Sequence, residues 1–242
     1  MSVLGDAART VRPKRGDRNG PLPPLLVALT FVTGVVDAVS YLKLGHVFVA
    51  NMTGNVVFLG FALAGAGGLS AGSSLAALGS FLLGAFAGGA LAARSPEHRG
   101  RVLRSASAAQ AALIAIALIV ALAVSQPLSS GARYGLLVPL ALAMGIQNAG
   151  AQRLAIPELT TTVLTRTLTG LASEARALGG PGSQAGRRSV AVLSMLLGAL
   201  AGGLLALDIS VAAGLAVAFA LVAAVGLAIH LLSDADAAWT RS

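Results

Sequence analysis

Asp37 sits twelve residues past Leu25 in a stretch otherwise apolar enough to cross a bilayer. A charged side chain at such a depth costs about 2.5–3.5 kcal/mol on insertion scales, so it must face protein or water and is a functional candidate by default. Thr33, Asp37 and Tyr41 recur every four residues and Ser40 lies beside them, which gives one helix a polar stripe. Shortly after it, "VFVANMTGNVVF" places Asn51, Thr53, Gly54 and Asn55 within five positions. Asn51 and Asn55 are one helical turn apart and share a face. Amides and hydroxyls at an interrupted helix can exchange hydrogen bonds with a passing solute, and a helix N-terminus there favours an anion or a carbonyl oxygen. The same residues can equally serve as a helix cap with glycine for packing, and Asp37 can equally cap a helix after a break or tie helices together.

Further along the chain, Gln147, Asn148 and Gln152 stand where the first stretch has its acidic stripe. Thr160, Thr161, Thr162, Thr165, Thr167 and Thr169 then form a hydroxyl-rich segment around Arg166. A guanidinium so placed needs a carboxylate, because removing one partner of a buried pair costs roughly 3–5 kcal/mol. Asp37 is one expected partner for Arg166; Glu158 and Glu174, two turns away on its own segment, are the other. The solute-binding set is therefore Asp37, Asn51, Thr53, Asn55, Asn148, Thr165 and Arg166.

The chain contains no cysteine, and His46, His98 and His230 are scattered, so no metal or cofactor is expected. Paired carboxylates, a Gly-rich phosphate loop and a nucleophile elbow are all missing from the sequence, which argues against an enzyme.

The elements that position these residues follow from composition. Of 242 residues 56% are hydrophobic and 11% charged, with a mean hydropathy of +0.83, whereas soluble domains run near a quarter charged. This describes an all-α membrane protein. Apolar segments fall at 22–44, 47–65, 73–93, 107–125, 135–151, 189–207 and 209–232, with a more polar eighth at 159–178. No signal peptide is expected before them. Residues 1–21 read as a disordered basic cytoplasmic tail and 233–242 as a short C-terminal tail. The net charge of +8 sits in clusters that alternate with spans, which fits cytoplasmic loops and not a nucleic-acid surface.

The sequence also repeats. "SFLLGAFAGGALA" at 80–92 and "SMLLGALAGGLLA" at 194–206 are identical at ten of thirteen positions, at an offset of 114. "GVVDA" at 34–38 answers "GIQNA" at 145–149, and "MTGN" at 52–55 answers "LTRT" at 164–167, which sets Arg166 against Gly54. Two homologous membrane repeats, 22–125 and 133–232, are therefore expected, each of about four hydrophobic segments. Each carries a break, "KLGH" or "AIPE", and a GxxxG helix whose glycines, Gly84 and Gly88 or Gly198 and Gly202, permit close packing.

If each repeat made four full crossings, Lys and Arg would divide poorly between the two faces. If the segments flanking each break make only one net crossing, as a broken or re-entrant pair, thirteen Lys and Arg fall on the inner face and Arg133 alone on the outer. Three crossings per repeat would then invert the second copy relative to the first, an arrangement recurrent in transporters.

As a set, "GVVDAVSYLKLGHVFVANMTGNVVFLG", with its F-x-A-N-M-T-G-N run, and the later "GIQNA" resemble the signature of the YoaK-like bacterial membrane proteins, grouped under a domain of unknown function. The resemblance runs over about residues 25–232 and implies a multi-pass protein of the bacterial cytoplasmic membrane, without bringing an activity or substrate. The expected function is a carrier or channel for a small polar or ionic solute, with proton coupling through Asp37; the alternative is a non-transporting scaffold or accessory subunit. The expected partners are the lipid bilayer and a small solute, with self-association left open and no nucleic acid.

Overall fold

The structure is a computed structural model that describes residues 3–14, 16–125, 127–159, 161, 164–173, 184–233 and 238–240. It is all-helical: α1 (Val3–Val11), α2 (Leu22–Lys43), α3 (Met52–Leu63), α4 (Ala71–Ala93), α5 (Arg99–Ala123), α6 (Ser130–Leu154), α7 (Leu164–Ser173), α8 (Ala185–Leu204) and α9 (Val211–Leu232). A π turn, Leu205–Ile209, extends α8, and a short 3-10 turn spans Ala238–Thr240. Among the described residues six helices are long and apolar enough to cross a membrane: α2, α4, α5, α6, α8 with its π turn, and α9. At 1.5 Å per residue these run about 33–38 Å, whereas the twelve residues of α3 reach only about 18 Å, short of the ~30 Å hydrocarbon layer. Two of the eight apolar segments expected from the sequence thus become short helices. Residues 1–21, which read as a disordered tail, contain helix α1. Thr160, Thr162 and Glu174 lie outside the described residues.

Serine hydroxyls start several of the long helices. Ser70, Ser129 and Ser210 accept from the amides of Ser73, Ala132 and Ala213 at 3.2, 3.2 and 3.0 Å, each satisfying a donor that the first turn leaves open. Helix α8 uses another element for the same purpose. Its first turn presents the Arg187 amide to the Asp6 carboxylate of α1 at 3.0 Å, and α1 lies so close that a Cβ on Gly186 would strike the Val3 carbonyl.

Two tight crossings organise the bundle. Helix α4 packs on α6 and α2 on α8, both through glycine. An added Cβ on Gly84 would collide with the Leu142 carbonyl and one on Gly145 with the Phe81 carbonyl; one on Gly198 would meet the Phe31 carbonyl and one on Gly34 the Met195 carbonyl. In lipid, where apolar burial gives helices little reason to associate, such backbone-to-backbone approach supplies the packing energy. Residue numbers rise together across each crossing, so both pairs are parallel. Helix α5 lies antiparallel to α6, with Ala106 near Gly150 and Val120 near Gly135. It is also antiparallel to α9, with Ser107 near Gly226. Helices α4, α6 and α9 therefore finish at the end of the bundle where α2, α5 and α8 begin. Leu82, Leu83, Phe86, Leu196, Leu197 and Leu200 stay exposed on the outer faces of α4 and α8, the surface a bilayer covers.

A buried polar chain ties three helices together. Gln110 Nε2 of α5 donates to Gln147 Oε1 at 2.6 Å, Gln147 Nε2 donates to Thr33 Oγ1 at 2.8 Å, and Thr33 returns its proton to the Leu29 carbonyl at 2.9 Å. All three side chains are buried. Satisfied at every member, such a network fixes the relative placement of α2, α5 and α6 without an unmatched group.

Candidate functional site

The chain leaves α2 at Lys43, turns back through Gly45 (φ 101°) and His46 (φ 55°), and buries Leu44, Val47, Val49 and Ala50 before α3 begins. Backbone buried in this way must have its amides matched. Asp37 meets two of them: its Oδ1 accepts from Val49 N at 2.9 Å and Ala50 N at 2.8 Å. Asn55 takes a third and returns a bond, accepting from Phe48 N at 2.9 Å while its Nδ2 donates to Phe48 O at 2.7 Å. Tyr41 stacks on Phe48 with centroids 5.0 Å apart and meets the edge of His46 at 5.2 Å. The polar stripe on α2 is thus divided in its contacts: Thr33 holds α6, whereas Asp37 and Tyr41 hold the segment between α2 and α3.

The second break, after α6, is fastened from α8. Ala155, Glu158 and Thr161 take positive φ values of 49°, 67° and 63°. Glu158 is fixed by Arg188 in the ion pair found among the described residues, Nη2 to Oε1 at 2.9 Å, with side chains 11% and 7% exposed. The Arg188 guanidinium lies against Gly170 of α7, where a Cβ would collide with it. Glu158, one of the partners expected for Arg166, is engaged by Arg188 instead.

Between the breaks lies a cavity of about 910 Å³. The first turns of α3 and α7 border it, as do Phe81, Ala85 and Gly89 of α4 and the last two turns of α6. Its polar lining consists of Asn51, Thr53, Asn148, Gln152, Arg153 and Thr165. Among the described residues these are amides, hydroxyls and one guanidinium, and no carboxylate lines it. A smaller cavity of about 110 Å³ is lined by Asp37, Asn51, Leu164, Thr165 and Met195.

Of the expected set, Asn51, Thr53, Asn148 and Thr165 line the large cavity and Asp37, Asn51 and Thr165 the small one. The other two line neither. Asn55 is fully buried in its bonds to Phe48, and Arg166 is exposed on α7. Asp37 and Arg166 form no ion pair among the described residues; the carboxylate is occupied by the loop amides. Sequence reasoning missed Gln110, a single amide in an apolar helix with only the small Ser107 one turn before it. Arg153, in the last turn of α6, also edges the cavity and was not among the expected residues. Among the described residues no three His, Asp or Glu side chains cluster as metal ligands.

Residues 25–228 match the family model DUF1275, described as a protein of unknown function. The chain belongs to that family. The DUF1275 chain is also 35% identical over 147 residues to the UPF0700 transmembrane protein YoaK of Bacillus subtilis (strain 168). That match covers 61% of this chain and 64% of YoaK. No solved structure matches it. With six spans and this relative, the DUF1275 chain is a multi-pass membrane protein, its outer faces in contact with lipid.

Proposed function

We propose that this DUF1275 protein moves a small polar or ionic solute across the membrane through the large cavity. The observation that carries the reading is a cavity of about 910 Å³ inside a bundle of spanning helices, lined by amides, hydroxyls and one guanidinium at two helix breaks. Polar groups set among apolar spans are costly unless a solute, water or another group uses them, and donors without a carboxylate among the described residues suit a solute with anionic or carbonyl oxygens. Asp37, beside the small cavity, is the protonatable group that would couple such movement to a proton. The scaffold reading rests on the bonds that Asp37 and Asn55 spend on the chain itself; it leaves the cavity unexplained.

Two inverted repeats belong to the same proposal. Supporting them, each GxxxG helix packs on the Gly-x-x-Asp/Asn-Ala helix of the other half: α4 on α6 and α8 on α2. The glycine contacts exchange under the sequence offsets, because Gly34 meets Met195 and Ala199 as Gly145 meets Phe81 and Ala85. The N-terminal tail, the 94–98 loop and the start of α8 then lie together on the cytoplasmic side, where most of the Lys and Arg are found. In the cysteine-free chain a Ser95→Cys protein should react with an impermeant maleimide only in inside-out vesicles, and Gly67→Cys only in intact cells. The reverse pattern would overturn the orientation.

The transport reading is tested in liposomes against a panel of inorganic anions, carboxylates, amino acids and sugars. An added Cβ on Gly89 meets nothing within 4 Å, so Gly89→Leu should fold normally, intrude into the cavity and lower flux at least tenfold. Gly79 is equally open but lies outside the cavity lining, and Gly79→Leu should leave flux unchanged. Equal flux in both variants, or no flux of any solute by the unaltered protein, would favour the scaffold.

A further inference from the structure

The two cavities correspond under the same offsets that relate the halves of the sequence. Met52, Thr53, Phe81 and Asn148 line the large one, and their counterparts are Leu164, Thr165, Met195 and Asp37. Those counterparts are four of the five residues that line the small cavity. The fifth, Asn51, lines both, as do Leu164 and Thr165. Where the cavities differ is in what lies beyond them. The large one continues to Gly89 and Arg153, toward the end at which α4 and α6 finish, and space beside Gly89 is open. The counterparts of Gly89 and Arg153 are Gly203 and Leu42, near the ends of α8 and α2 at the opposite end of the bundle. Neither of them lines the small cavity, and a Cβ on Gly203 would lie in contact with Leu42 Cδ1, 3.7 Å away. The large cavity reaches Gly89 and Arg153, whereas the small one stops short of Leu42 and Gly203.

We propose that the small cavity is the closed counterpart of the large one, and that the protein is an alternating-access carrier in which closing the Gly89–Arg153 passage opens the Leu42–Gly203 passage. This rests on the transport reading above and on the inverted repeat. Because the two halves have nearly the same glycine crossings, packing that comes apart on one side re-forms on the other, so two states of similar energy are available to one fold. Asn51 and Thr165, common to both cavities, hold the solute in either state. The halves differ in charge: the passage edged by Arg153 admits an anion, and the opposite one presents the Asp37 carboxylate, which favours release of that anion.

Cysteine traps test this without a known solute. Gly89→Cys/Arg153→Cys and Leu42→Cys/Gly203→Cys pairs, each joined by copper-phenanthroline oxidation, would shut one passage at a time. Both glycines have room for the side chain. With the Gly89–Arg153 side oxidised, a Met195→Cys reporter should react with impermeant maleimide at least tenfold faster than before oxidation, and from the face opposite to that which labels Phe81→Cys. With the Leu42–Gly203 side oxidised, Phe81→Cys should stay reactive and Met195→Cys slow. Single Phe81→Cys and Met195→Cys proteins, without a trap, guard against misfolding and should already label from opposite faces. Failure of the Gly89–Arg153 pair to oxidise while the Leu42–Gly203 pair does, or an unchanged Met195→Cys rate, would overturn alternating access. If flux persists with either pair oxidised, the protein is a channel and the transport reading survives; if labelling alternates but no solute moves, the transport reading fails and the two states remain.

Discussion

Asp37→Ala should cost the protein much of its stability, and Asp37→Asn about half as much. In the alanine variant the amides of Val49 and Ala50 lose their acceptor inside a buried turn. Each unmatched donor costs about 1–3 kcal/mol, so the total is about 2–6 kcal/mol, enough to lower Tm by roughly 4–24 °C in a domain of this size. Asparagine keeps an oxygen at the same place and loses only the charge assistance, about 1–3 kcal/mol over two bonds. Its new amide hydrogens have a ready acceptor one turn back, as Asn148 demonstrates at the counterpart position by donating to the Met144 carbonyl at 3.1 Å. Thermal unfolding and protease sensitivity of residues 44–51 in detergent give the stability order. Equal Tm values for both variants would mean that the carboxylate does not hold the segment. The asparagine protein, folded and uncharged, then separates structure from transport: loss of flux, or of its pH dependence, assigns Asp37 to proton coupling, and normal flux removes it from the mechanism.

What the sequence could convey about the spans was their apolar cores, not their ends. Helix α5 begins at Arg99, well before the apolar run at Ser107, because a helix that leaves the hydrocarbon layer can continue through Arg101 and Arg104 in the polar interface. Helix α6 begins where Ser129 caps it, five residues before Gly135. The run 47–65 reads as a single apolar segment interrupted only by Asn51, Thr53 and Asn55, yet only Met52–Leu63 is helical. Hydropathy cannot register the positive φ at His46 or the carboxylate that captures the next amides. Asn51 and Asn55 illustrate the limit more sharply. Their spacing places them on one face only if both are helical, and Asn51 is not: at φ −88°, ψ 80° it is the N-cap, so the two side chains part, one to the cavities and one to Phe48. The cavity residues that periodicity did recover, Asn148 and Thr165, were legible because the repeat set them around the second break. Nor did the sequence show that Glu158 would be engaged by Arg188 while Arg166 stands exposed on α7.

The severest losses should come from the smallest substitution, alanine for glycine at the two crossings. Gly34 and Gly145 each have a backbone amide of the facing helix 2.6 Å from the position of an added Cβ, and a carbonyl oxygen closer still. Backbone cannot move aside as a flexible side chain can, so Gly34→Ala or Gly145→Ala must drive α2 from α8 or α4 from α6. Parting the helices gives up dispersion attraction along the whole crossing and strains the Gln110–Gln147–Thr33 chain between α5, α6 and α2. The expected cost is more than about 4 kcal/mol, the range reserved for overpacking at a site that cannot relax. Gly60 and Gly79 provide the contrast. Both are helical with open space around them, and alanine there should stabilise by about 0.5–1 kcal/mol through helix propensity alone. Monodisperse yield and Tm of the four proteins report the difference: the first two should fail to accumulate as folded protein and the last two should match or exceed the parent. The two crossings should also fail alike, since Gly34 and Gly145 face corresponding backbone atoms. A protein that tolerated alanine at one and not the other would show that the halves do not carry the same packing load, and would undercut the exchange of states that alternating access requires.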